Sequence, residues 1–143
     1  MTTPADERAL LDKLEARGIK PTANRLMILR AMMRMRQAVS LQNLVDELET
    51  VDKSSVSRAL ALFLSHHLVH SIDDGSGALK YAVCGDACSC DVDDLHVHFY
   101  CTRCGRTLCL RGLPVPLVHL PDGFSLESVN YVMKGVCSDC RRK

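Results

Sequence analysis

Over residues 6–66 the hydrophobic positions recur every three or four residues, the spacing that lines one face of a helix. Ala9, Leu10 and Leu14 mark a first helix over 6–17, with Gly18 placed to stop it. Thr22, behind Pro21, is positioned to cap a second helix through Leu26, Ile28, Leu29 and Met33, and Ser40 to cap a third over 41–49. A fourth is predicted from Lys53 or Ser54, with serine as its cap, to about His66. On it Val56, Leu60, Phe63 and Leu64 share one face, and Ser54, Arg58, Ala61 and Ser65 the opposite one.

Beyond these helices the pattern shortens. Residues 68–72 and 79–83 are β-prone runs separated by Asp73-Asp74-Gly75-Ser76-Gly77, a strong hairpin turn signal. Helices followed by a small hairpin describe a winged helix. Gly, Ser and acidic residues interrupt the periodicity over 85–94. After them, 96–100, 106–110 and 127–133 read as strands, and Pro114 and Pro116 discourage helix between the second and third. The expected fold class is therefore α+β. A winged helix-turn-helix domain over 1–84 and a hinge loop over 85–94 precede a small metal-bound α/β or mostly-β domain over 95–143.

Composition narrows the function. At 143 residues and 47% hydrophobic content the chain fits one domain or two small ones, which excludes a large multi-domain enzyme. Lys plus Arg (18) nearly balances Asp plus Glu (17), so nucleic-acid binding would have to come from a local basic patch. No apolar run approaches the roughly 20 residues that span a bilayer. Residues 1–20 alternate charge with Leu and Ala, so a soluble cytoplasmic protein with no membrane partner is expected.

All eight cysteines lie between Cys84 and Cys140. In a protein expected to be cytoplasmic, such thiols are reduced and suited to holding metal. Cys101-x-x-Cys104-Gly105 and Cys137-x-x-Cys140 are two CxxC turns, each able to aim two thiolates at one tetrahedral zinc ion. About 32 residues separate the pairs, more than the ribbon spacing of about 15–20, so the chain between must fold back. A thioredoxin-like redox motif and a disulfide scaffold are the competing readings; the doubled motif favours zinc.

A second donor group surrounds the boundary. His96-x-His98 has the spacing that puts two imidazoles on one strand face, His70 opens the hairpin and Cys84 closes it. An ion among these four would bridge the two units, with Cys90 and Cys109 as further candidate ligands. Against this, His70 reads equally well as an ordinary histidine and Cys109 as a small core residue; Cys88 and Cys90 lie in a polar loop as ligands, redox thiols or neither. Imidazole with thiolate suits zinc, whereas a ferrous site would be richer in carboxylates. No H-E-x-x-H or H-x-E pattern provides a general base beside a catalytic zinc, so no enzymatic activity is expected.

Residues 16–45 carry Arg17, Lys20, Arg25, Arg30, Arg34 and Arg36 and no acidic residue. With Arg58 on the polar face of the fourth helix they form a candidate phosphate-contacting surface, against the plainer reading of a solvated helix face.

In order along the chain, Gly18-Ile19-Lys20-Pro21-Thr22-Ala23-Asn24-Arg25, Ser55-Val56-Ser57-Arg58-Ala59-Leu60, Leu68-Val69-His70, Asp74-Gly75, Lys80-Tyr81, the His96 to Gly105 run and Gly135-Val136-Cys137-x-x-Cys140 resemble the ferric uptake regulator family. The resemblance implies a winged-helix DNA-binding domain, a C-terminal dimerisation domain with a structural zinc on Cys101, Cys104, Cys137 and Cys140, and a regulatory metal at the hinge. It further implies a homodimer on a palindromic double-stranded operator, with Arg25, Ser54, Ser55, Ser57 and Arg58 facing DNA.

Within the family the ferric and peroxide sensors carry histidines where this chain has Val39 and Ser128 or Val129, whereas His70, Cys84, His96 and His98 match the zinc uptake regulators. The expected function is zinc-responsive repression. The alternatives are the same fold sensing thiol oxidation, iron or another metal, and a zinc adaptor that binds no DNA.

Two positions depart from the family. Ser57 replaces a tyrosine that contacts thymine methyls, which changes the expected direct readout. The stretch Gly-Leu-Pro-Val-Pro-Leu-Val-His-Leu-Pro-Asp-Gly over 112–123 replaces a long amphipathic helix, so dimerisation would rest on the sheet or on a changed interface.

Overall fold

The computed structural model describes residues 3–84, 96–127 and 129–143. The element order is α1 (Pro4–Ala16), α2 (Ala23–Met35), β1 (Val39–Ser40), α3 (Leu41–Glu47), α4 (Lys53–Ser65), β2 (Val69–Ile72), β3 (Lys80–Val83), β4 (His96–Cys101), β5 (Thr107–Pro114), β6 (Val132–Gly135) and α5 (Ser138–Arg141). The expected hinge over 85–94, with Cys88 and Cys90, lies outside the described residues.

Short polar side chains set the helix starts. Thr22 accepts from the Arg25 amide at the head of α2, and Ser40 and Asn43 form a reciprocal capping box at the head of α3. The cap of α4 is Asp52, which accepts from the Ser55 amide. The expected serine cap is thus displaced by two residues, because an aspartate already stands in extended backbone ahead of Lys53. Gly18 follows α1 at φ 70°, the left-handed conformation glycine adopts without a Cβ penalty.

The apolar stripes of α1 to α4 converge with the wing on one core. Leu14, Ile28, Leu29, Leu44, Val56, Phe63 and Val69 are fully enclosed there, and burial stabilises each large side chain by about 1.5–3 kcal/mol. Three positions of the expected stripes lie elsewhere, one of them Met33 of α2, which is 41% exposed. Ala9 is exposed on α1, and on α4 Ala59 takes the buried place expected for Leu64, which is 39% exposed. Val56, Leu60 and Phe63 keep their buried places, so the exchange shifts only one edge of the α4 stripe.

β1, β3 and β2 form an antiparallel sheet in that order, with Val69 opposite Val83 and Ile72 opposite Lys80. Helices closed by this hairpin make a winged helix. The second sheet has the order β5-β4-β6, antiparallel between β4 and β5 and parallel between β4 and β6. As an edge strand, β5 tolerates Pro114 at its end. The third strand starts at Val132 instead of 127, because its pairing is confined to the four β4 residues His98–Cys101. Among the described residues no helix lies between Pro114 and Val132. Nor is any helix of the described residues long and apolar enough to cross a membrane.

The two units meet along the wing. Ala38 bridges to Thr107, its amide donating to the Thr107 carbonyl at 2.9 Å, and Ala38, Ile72 and Ala82 pack with Cys109 and Val132. Beside this small core sits buried Asp74. It accepts from Lys80 Nζ at 2.7 Å, from the Ser76 amide at 2.9 Å and from the Thr107 hydroxyl. At the wing tip Asn130 donates to the Asp73 carbonyl at 2.7 Å. This junction fixes the hairpin against β4 and β5.

Candidate metal centres and nucleic-acid face

The turn after β4 and the segment after β6 bring Cys101, Cys104, Cys137 and Cys140 together, with all four sulfurs within 4.8 Å of one another. Parallel pairing of β4 with β6 is what folds the intervening chain back: Cys101 stands opposite Gly135, and the Thr102 amide donates to the Gly135 carbonyl at 2.7 Å. Cys104 and Cys137 Sγ are 3.9 Å apart, close to the roughly 3.8 Å that a tetrahedron with 2.3 Å zinc–sulfur bonds requires. The donor set therefore fits one zinc ion.

Backbone amides prepare these sulfurs to carry charge. The Cys104 and Cys137 amides point at Cys101 Sγ and hold its pKa down to about 5. Cys137 is also lowered, first by the Cys140 amide and then by the Arg106 guanidinium. Cys140 is pushed up to about 12, first by its hydrogen bond to Cys137 and then by partial burial. A metal-free cluster of this kind concentrates negative charge on some sulfurs and keeps a proton on another.

The second donor group spans the junction between units. His70 on β2 and His98 on β4 bring their Nε2 atoms to 3.3 Å, and Cys109, the cross-strand partner of His98 on β5, completes a set of three donors within 4.8 Å. Two nitrogens about 2.0–2.1 Å from one tetrahedral zinc lie about 3.3–3.4 Å apart, so the histidine pair has the right separation. His98 is buried and His70 and Cys109 are partly so.

Cys84 is placed differently from the other candidates. Its sulfur lies 3.3 Å from His70 Nδ1, on the ring nitrogen turned away from His98. His96 starts β4 opposite Pro114, and a register shift separates it from Val97, which pairs with Leu110. The residues left unpaired by that shift, 111–113, lie on β5. The His96 side chain and Cys90 lie outside the described residues.

Of the candidate DNA contacts, Arg25 from α2 and Ser55 and Arg58 from α4 line one groove, together with Thr22, Asn24 and Leu62. Ser54, Ser57 and Arg58 are exposed on α4. Arg58 Nη2 lies 3.4 Å from Ser55 Oγ, whose hydroxyl donates to Asp52 at 2.6 Å, while Arg25 donates to the Lys20 carbonyl at 2.7 Å. The remaining basic residues diverge: Arg30, Arg34 and Arg36 line a separate hollow with Lys13, and Arg34 pairs with Glu47.

Sequence reasoning overlooked two groups. One is Arg106, two residues past the first CxxC turn, which reaches Cys104, Cys137 and Asp139. The other is the buried set of Asp74, Lys80 and Thr107. The first had a signal, an arginine beside a thiolate turn; the second had only an acid and a base six residues apart across a hairpin.

The family model described as Ferric uptake regulator family matches residues 16–111. Among curated proteins none matches the chain in sequence. Among solved structures, the chain is similar to a zinc uptake regulator complexed with zinc and DNA, at 22% identity and TM-score 0.71, over 99% of this chain and 97% of that one. It is also similar to the ferric uptake regulator of Vibrio cholerae, at 19% identity and TM-score 0.61, over 88% of this chain and 98% of that one. A zinc-bound manganese uptake regulator has 18% identity and TM-score 0.62, over 90% of this chain and 98% of that one.

Proposed function

The chain belongs to the ferric uptake regulator family of metal-responsive DNA-binding regulators, and from that premise we propose that it is a zinc-responsive repressor acting as a homodimer. The observation that carries the metal assignment is the donor set His70, His98 and Cys109 at the junction between wing and second sheet. Two imidazoles with a thiolate suit zinc, whereas manganese prefers oxygen ligands and a ferrous site would be richer in carboxylates. The name of the neighbour bound to zinc and DNA supports the same reading.

His70 comes from β2, and His98 and Cys109 from the facing sheet, so these donors converge only while wing and sheet are docked. A divalent ion there supplies a crosslink that favours the docked arrangement, since a ligand shifts an equilibrium by its differential affinity for the two states. With Nε2 turned toward His98, His70 is oriented by Cys84 at Nδ1, the outer-sphere role such partners commonly play. Cys101, Cys104, Cys137 and Cys140 hold a second, structural zinc. The groove shared by α2 and α4 faces DNA, with Arg25 and Arg58 toward phosphates and Ser54, Ser55 and Ser57 toward the major groove. On this reading 1–84 binds DNA and 95–143 dimerises.

The test joins stoichiometry to binding. Reduced protein should carry two zinc ions per chain, a moderate chelator should remove one, and selection from random duplexes should enrich a palindrome only while both are bound. One unremovable ion together with metal-independent enrichment would overturn zinc control.

A further inference from the structure

The guanidinium of Arg106 is built into the four-cysteine site. Its Nε donates to Cys104 Sγ at 3.4 Å, and its Nη2 donates both to Cys137 Sγ at 3.4 Å and to Asp139 Oδ2 at 2.9 Å. One planar edge thus reaches a sulfur from each CxxC turn, 33 positions apart in sequence, and Asp139 on α5 aims it. We propose that Arg106 is a positioning residue that clamps the two turns together and sets how tightly their thiolates hold zinc.

Two physical arguments carry this inference, which rests on reading the four cysteines as zinc ligands. Four thiolates on one divalent ion leave an excess of two negative charges, and the guanidinium is the cation in hydrogen-bond contact with two of those sulfurs. Charge-assisted bonds of this kind are stronger than neutral ones and withdraw electron density from the acceptor. Geometry supplies the second argument. The β4–β6 pairing ends at Cys101 and Gly135, leaving Cys104 and Cys137 beyond the ladder, where Arg106 spans them. The planar fork matches two acceptors and a carboxylate along one side, which a lysine ammonium, a point donor on a flexible stem, does not reproduce.

The experiment uses the full chain in a His98→Ala background, so that the tight ion reports on the four cysteines. Competition with a chromophoric chelator should show zinc affinity reduced about 10–100-fold in Arg106→Ala and less in Arg106→Lys, the range typical of lost outer-sphere contacts. With cobalt(II) in place of zinc, the sulfur-to-metal charge-transfer bands should move to lower energy in Arg106→Ala, since removing donors raises the energy of the sulfur lone pairs. A residue that merely packs would change melting and leave the bands in place. Unchanged affinity and unchanged bands in Arg106→Ala would overturn the role. Should Arg106→Ala fail to fold, Arg106→Lys decides by the same two readouts. No tight ion in the parent chain would instead overturn the zinc assignment itself.

Discussion

Lys80 Nζ lies 2.7 Å from Asp74 Oδ2, with 9% and none of the two side chains exposed. Both residues belong to the wing, yet the Thr107 hydroxyl from β5 donates to the same carboxylate oxygen and Tyr100 of β4 sits under the ammonium, 5.4 Å from its ring centre. The pair therefore joins the folding of the hairpin to its docking on the second sheet. Replacing Asp74 by Ala strands a buried ammonium and should cost about 3–5 kcal/mol in denaturant unfolding. Joint replacement with Asp74→Leu, Lys80→Met and Thr107→Val should cost far less. Equal losses in the two proteins would show that the charges are not coupled.

The same carboxylate gives a pH dependence with a definite sign. Burial alone would raise the Asp74 pKa, but hydrogen bonds from Lys80, Ser76 and Thr107 hold it well below the usual carboxylate range. Between the folded value and the ordinary one of about 3.9, the unfolded chain binds a proton that the folded chain refuses. The contribution is thus complete above that ordinary value and is lost as pH falls through the folded one. Because thiolate sites also respond to acid, the quantity to follow is the stability difference between the parent chain and Asp74→Asn. It should be constant near neutrality and shrink progressively below about pH 5. A difference independent of pH would remove the assignment.

Outer-sphere and ligand roles separate at the junction metal. His98→Ala and Cys109→Ser each remove a donor from a three-residue set and should abolish the exchangeable ion. Cys84→Ser leaves those donors in place and removes only the group at His70 Nδ1, so two ions per chain should remain, with the exchangeable one held about 10–100-fold more weakly. Zinc titration monitored by elemental analysis distinguishes the cases. Loss of the ion from Cys84→Ser as complete as from Cys109→Ser would make Cys84 a ligand.

How much of this was legible in the sequence varies with the range of the interaction concerned. The helix caps at Thr22 and Ser40, the wing turn and the two CxxC pairs are read from a few neighbouring residues, and the structure places them where the pattern does. The cap at Asp52 and the start of β6 lie two and five residues from their expected places, and Leu64 is exposed, because neighbouring positions offered comparable local chemistry. Cys109 could be named only as one of several candidates. What selects it is the antiparallel register that sets it opposite His98, and register follows from tertiary pairing. Asp74, Lys80 and Thr107 were invisible for the same reason, since a buried polar set is defined by what the second sheet brings to the wing.

On DNA, Arg58 and Arg25 should differ although both line one groove. Arg58 is exposed on α4, with a 3.4 Å contact to Ser55 and a coulombic interaction with Asp52, so Arg58→Ala removes chiefly a phosphate-directed charge. Binding should weaken to a similar extent on every duplex, and the slope of log affinity against log salt should fall by about one. Arg25 also closes the turn into α2 through the Lys20 carbonyl, so Arg25→Ala should lower both the salt slope and the melting temperature. Ser57 carries no charge, and Ser57→Ala should leave the salt slope alone while changing preference among duplexes. Salt titrations on a selected palindrome and a scrambled duplex check all three. An Arg58→Ala protein that kept its full salt slope would place the phosphate contacts elsewhere on the basic surface.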